Sequence, residues 1–101
     1  MKLFLLFLSG LFLANGVPHF INGISGRRFH SPFARPFVTG SSSAWSNVAW
    51  GIFNFLVGTL LFRRAGGVVF GLNPAAIALA SGFVFSSLGL SIFFERLDKE
   101  K

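Results

Sequence analysis

Cysteine is absent, which excludes a disulfide, a thiolate nucleophile and a Cys-ligated metal. Acids are scarce as well: Glu95, Asp98 and Glu100 are the full set, and all fall in the last seven positions. With no carboxylate before Glu95 and only two histidines, a Ser-His-Asp relay has little to be built from. Gly66, Gly67 and Gly71 lack the lysine and Ser/Thr of a phosphate loop. Two histidines and one glutamate at no ligand spacing recommend no metal site, and no cofactor motif is present. No catalytic residue is assigned and the chain is not expected to be an enzyme. Charge as a whole is low, at 12% of residues, where a soluble domain carries about 25%.

Apolar residues are abundant, at 52% of 101, and they fall in three runs separated by short basic segments. A crossing needs about 20 mostly apolar residues, and the runs are too long for membrane strands of about 10 residues. The expected fold is all-α, a single transmembrane domain over residues 1–101 with spans at about 3–20, 44–62 and 74–96. An irregular interfacial first loop is expected at about 23–43, where Gly23, Gly26, Pro32, Pro36, Gly40 and a serine run disfavour a long helix. Lys2 followed by Leu3 to Leu13 resembles the start of a signal peptide. Ala14-Asn15-Gly16 is a poor cleavage site, however, and apolar residues continue through Val17, Phe20 and Ile21, so a retained first span is expected. Pro18 is placed to kink or end it. Serines cap the second span, Arg63-Arg64 stop it, and Asn73-Pro74 reads as an N-cap with proline at the first helical position of the third.

The net charge of +6 does not form the basic face of a nucleic-acid-binding domain. The bases bracket the apolar runs instead, so the expected partner is a bilayer with anionic headgroups and no nucleic acid. With three spans, Arg27, Arg28, Arg35, Arg96, Lys99 and Lys101 share one side, against Lys2, Arg63 and Arg64 on the other. The excess of bases puts the first loop and the carboxyl terminus in the cytoplasm.

Asn47, Gly51, Asn54 and Gly58 recur at spacings of 4, 3 and 4, one stripe of the second helix. Small residues let membrane helices approach closely and amides can bond across the contact, so the stripe reads as a packing face, with a polar permeation stripe as the other reading. Ala78, Gly82, Ser86 and Gly89 form a similar side of the third helix, and the two helices are expected to meet as an antiparallel hairpin. Ser87 and Ser91 are expected to bond back to their own helix. Asn15, His19 and Asn22 make the end of the first helix polar on the side that also holds Asn47 and Glu95. Together with Asn54 these are the candidate polar cluster, because ionisable groups at membrane depth face protein or a water cavity. A solvated position at headgroup level is the plainer alternative for His19 and Glu95. In the first loop Phe29, Phe33 and Phe37 recur every fourth residue beside Arg27, Arg28 and Arg35, which suggests a strap with buried rings and solvated arginines. Lipid anchoring is the plain reading of that segment, and a lid over the polar end or a docking surface are the others.

Asn15-Gly16-Val17-Pro18-His19-Phe20, Gly23, Gly26, Ser31-Pro32-Phe33-Ala34, Ser42-Ser43, Asn47, Trp50-Gly51 and Asn54 resemble a group of small bacterial multi-pass inner-membrane proteins that has no assigned activity. The resemblance covers roughly residues 14 to 58, implies a bacterial inner-membrane setting and supplies no mechanism. Three helices of this length enclose too little space for a solute path. The expected role is therefore interaction, as a homo-oligomer or an accessory subunit of a larger membrane complex. The alternative is a homo-oligomeric small-solute, proton or lipid transporter that uses the Asn/His cluster.

Overall fold

The computed structural model describes residues 1–99; Glu100 and Lys101, one of the bases counted for the tail, lie outside them. Among the described residues the chain is all-helical: α1 is Lys2–Ile24, α2 is Ala44–Arg64 and α3 is Pro74–Lys99. At 1.5 Å per residue these helices are about 35, 32 and 39 Å long. Each is long and apolar enough to cross a bilayer.

Local chemistry sets the helix ends. Ser43 Oγ accepts from the Ser46 N–H at the start of α2, and Asn73 Oδ1 accepts from the Ala76 N–H at 2.9 Å at the start of α3. α1 and α2 both finish on a glycine in the left-handed region, Gly26 at φ 75° and Gly66 at φ 93°. In each case two backbone bonds close the end: Arg27 N–H to Asn22 O with Gly26 N–H to Gly23 O, and Gly67 N–H to Phe62 O with Gly66 N–H to Arg63 O. Pro18 does not end α1, which continues to Ile24. The turn beyond it buries His19 and Gly23, and that packing outweighs the one backbone bond proline removes.

The expected hairpin of α2 with α3 is not what forms. α1 stands between the two and packs on both, while α2 and α3 have no backbone contact with each other among the described residues. The reason lies in α1, whose small residues point in two directions. A Cβ on Gly16 would stand 2.9 Å from Gly51 O, and one on Gly51 would stand 2.8 Å from Phe20 N. On the other side, a Cβ on Gly10 would strike Leu79 O and one on Gly82 would strike Phe7 O. α1 therefore runs antiparallel to α2 and parallel to α3, with main chain against main chain at both contacts. Ser9 Oγ donates to Gly58 O at 2.7 Å and Ser86 Oγ to Leu11 O at 3.2 Å, adding one hydroxyl bond to each interface. Ser87 instead bonds back to Phe83 O.

The two glycines of α3 make a matched test. Gly82→Ala places a methyl where Phe7 O already stands, and overpacking of this kind costs roughly 1–3 kcal/mol. Gly89 faces open space, so Gly89→Ala should be neutral or should stabilise by up to about 1 kcal/mol through helix propensity. Thermal unfolding in mild detergent, followed by circular dichroism, should separate the variants; equal melting would remove the α1–α3 contact described above.

Candidate functional site

The polar residues gather where α1 ends, α2 begins and the loop 25–43 crosses over them. Asn47 is at the centre and fully buried. Its Nδ2 lies 3.0–3.2 Å from Phe29 O, Ser42 O, Ser42 Oγ and Ser43 O, so the two amide hydrogens are shared among acceptors from the loop and the helix start. Reversing the amide would set an oxygen against those oxygens, so the network assigns Oδ1 to the opposite side. There it meets His19 Nδ1 at 2.9 Å, which requires the proton of the neutral ring to sit on Nδ1. His30 meets Gly40 O through Nδ1 at 2.8 Å, and because a carbonyl can only accept, it takes the same tautomer.

The loop is tied down along its length. Phe29 and Ser42 pair as an isolated antiparallel bridge, and Ser31 Oγ and Ser42 Oγ lie 2.6 Å apart. The Ser31 carbonyl accepts from Ala34 N–H and Val38 N–H, and Arg28 Nη2 donates to Ser41 O. Val38 is held at φ 63°, a region costly for a β-branched residue, by this bonding on both sides of it. Rings complete the closure. The His19 ring stands edge-on to Phe29, Trp50 and Phe94 at centroid distances of 5.4, 6.4 and 6.4 Å, and His30 stacks on Phe94 at 5.6 Å.

The six cluster candidates separate into two bonded pairs and two residues that join neither. His19 and Asn47 bond directly, and Asn15 Nδ2 donates to Asn54 Oδ1 at 2.9 Å one turn further into the bundle. Asn22 stays local, donating to Pro18 O and accepting from Arg27 Nε. Glu95 is exposed and pairs with Lys99 at 3.6 Å, and α3 reaches the His19 cluster through the Phe94 ring instead. The packing candidates Gly51 and Gly58 are buried against α1, Gly82 is buried against Phe7, Ser86 bonds α1, and Ala78 is half-buried. Gly89 touches nothing. In the strap Phe29 is half-buried while Phe33 and Phe37 project outward, with Arg27, Arg28 and Arg35 exposed. Ser9, Gly10, Gly16, Gly23, Ser31, Ser42, His30 and Phe94 went unselected from sequence. The seven-residue spacing of Ser9, Gly16 and Gly23 was the available signal for the first face of α1.

Comparison with protein-family models, with curated proteins and with solved structures returns no match. Among the described residues every buried side-chain nitrogen and oxygen has a hydrogen-bond partner, and no group of three metal-ligating side chains occurs.

Asn47→Ala should loosen the strap, because it removes the amide that ties Phe29 O, Ser42 O and Ser42 Oγ to α2 and leaves the buried His19 Nδ1–H without its acceptor, at a cost of about 1–3 kcal/mol. Tryptic cleavage after Arg27 and Arg28 should accelerate by about tenfold for each 1.4 kcal/mol lost. Asn54→Ala removes the bond to Asn15 and the local one to Trp50 O, neither of which touches the strap, and should leave that rate nearly unchanged. Equal cleavage of both variants would show that Asn47 does not hold the loop.

Proposed function

We propose that the protein is a membrane-embedded packing subunit, which works by presenting helix faces to other helices in a homo-oligomer or a larger membrane complex. The observation that carries this is the one-sided packing of α2 and α3. Each is fastened to α1 along one face and not to the other, and α3 keeps Gly89 and most of its apolar side chains uncovered. A small residue on an outer helix face is where another membrane helix can approach closely. The transport alternative has weaker support, since the hydrogen-bonding capacity of Asn47 is spent on closing the end of the bundle.

The setting we propose is a bacterial inner membrane, with the first loop and the carboxyl terminus cytoplasmic on the balance of lysine and arginine. Thr39 and Val69 are exposed in the first and second loops, and the chain offers no competing cysteine. Thr39→Cys should resist an impermeant thiol reagent added to intact cells, and Val69→Cys should react. The reverse pattern would invert the topology.

Gentle detergent extraction tests the packing role. The chain should elute in a particle larger than one copy plus detergent, and Gly89→Leu should reduce that particle toward the single chain while leaving helix content intact. A monodisperse single copy from the unaltered chain would overturn the proposal.

A further inference from the structure

A cavity of about 650 Å³ lies between the strap and the first turns of α2. Its wall includes Arg28, Phe33, Arg35, Ser43, Trp45 and Ser46, and no carboxylate among the described residues lines it. The Arg28 guanidinium is oriented by Ser41, with Nε donating to the hydroxyl at 3.2 Å and Nη2 to the carbonyl at 3.0 Å. That uses two of the five donors a guanidinium carries, and the planar fork suits phosphate oxygens. Arg35 adds a second cation from the far arm of the strap. The N-terminus of a 21-residue helix opens at the same place, and the Ala44 and Trp45 N–H groups carry no hydrogen bond among the described residues. Donors of one sign thus converge from two segments of chain.

Beside the arginines and four serines, Phe33, Ala34, Trp45 and Ala49 give the wall an apolar side, with Trp45 at 76% and Phe33 at 62% exposed. A small soluble anion has no use for such a wall. A phosphate that carries a glycerol and acyl chain does, and exposed tryptophan at a helix end is characteristic of the headgroup level. We infer that this cavity binds the phosphate of an anionic phospholipid, with Arg28 and Arg35 on the phosphate oxygens and the acyl chain running along Trp45 and Ala49. The inference rests on the membrane placement proposed above and goes beyond the packing role, because it assigns one lipid-specific site to one end of the bundle.

Trp50→Phe leaves Trp45 as the sole indole and keeps an aromatic ring against Phe33. In phosphatidylcholine vesicles, brominated phosphatidylglycerol should quench Trp45 at a several-fold lower mole fraction than brominated phosphatidylcholine. The Arg28→Gln/Arg35→Gln variant should lose that preference. Arg63→Gln/Arg64→Gln, which removes equal charge at the other end of α2, should keep it. A large excess of inorganic phosphate should not relieve the quenching; relief would mean a free-anion site and overturn the lipid assignment. Equal quenching by the two lipids, or equal loss in both arginine variants, would overturn the site while vesicle flotation still supported the membrane placement. Failure to float would overturn both. Native mass spectrometry of the unaltered chain reads the same preference without the Trp50 substitution: retained phosphatidylglycerol supports the site, and retention equal to phosphatidylcholine overturns it.

Discussion

Because α1 meets α2 at Gly16 and Gly51 and meets α3 at Gly10 and Gly82, with a main-chain atom standing near or inside the place of each missing Cβ, the three helices are held at a separation that only glycine permits. Lipid tails are as apolar as leucine, so burial of apolar side chains gives membrane helices little reason to associate. What remains is dispersion, which weakens over a gap of half an ångström to one ångström, and hydrogen bonds of equally short reach. At this separation the Ser9 and Ser86 hydroxyls reach carbonyls of their neighbours, and Asn15 and His19 reach Asn54 and Asn47. Each such bond contributes only about 0.6 kcal/mol on average in a membrane protein, so none holds the bundle alone. All of them depend on the backbone approach, and the approach depends on glycines distributed over two faces of one helix.

The Asn47 network answers a different constraint. The strap is irregular backbone, and in the membrane placement proposed above its polar groups must be satisfied by protein or by water. Backbone N–H groups pair Phe29 O, Ser42 O and Ser43 O, and Asn47 adds a second donor to all three from the start of α2. His19 in turn fixes the amide by donating to its oxygen, and three aromatic rings fix His19. A buried polar group with all partners present specifies one arrangement, while one left unpaired is costly. The cluster is thus a closure in which helix α1, helix α2 and loop are made mutually dependent, and Phe94 brings α3 into it through ring contact alone.

The helices were legible in the sequence because apolar run length and N-capping residues act locally, within a few residues of the structure they determine. The Asn47, Gly51, Asn54 and Gly58 stripe was legible for the same reason, as a periodicity within one helix. Its partner was not. Periodicity identifies a face without naming what covers it, and proximity in sequence favoured a hairpin of α2 with α3 when α1 carried two small-residue faces. Glu95 was drawn into the candidate cluster by topology, since it lies on the correct side, yet its helical neighbour Lys99 offers a nearer partner and water. Ser31, Ser42 and His30 were hidden by the long-range pairing of Phe29 with Ser42, which no local pattern encodes.

The two ends of the bundle are consequently unlike. At one end, side-chain amides, hydroxyls and a tied loop join α1 to α2, and the Phe94 ring fills the approach of α3. At the other, Arg63 and Arg64 finish α2 exposed, and the second loop carries Phe70 and Leu72 at 99% exposure. There an almost wholly apolar gap of about 530 Å³ opens between Phe62 of α2 and Ala76, Leu79 and Ala80 of α3. Val68 and Phe70 of the connecting loop line that gap, while Gly66, Gly67 and Gly71, all at positive φ, add no side chain to it. A helix entering between α2 and α3 from a partner would meet carbon alone, so its affinity would come from shape and would require small residues on its own face.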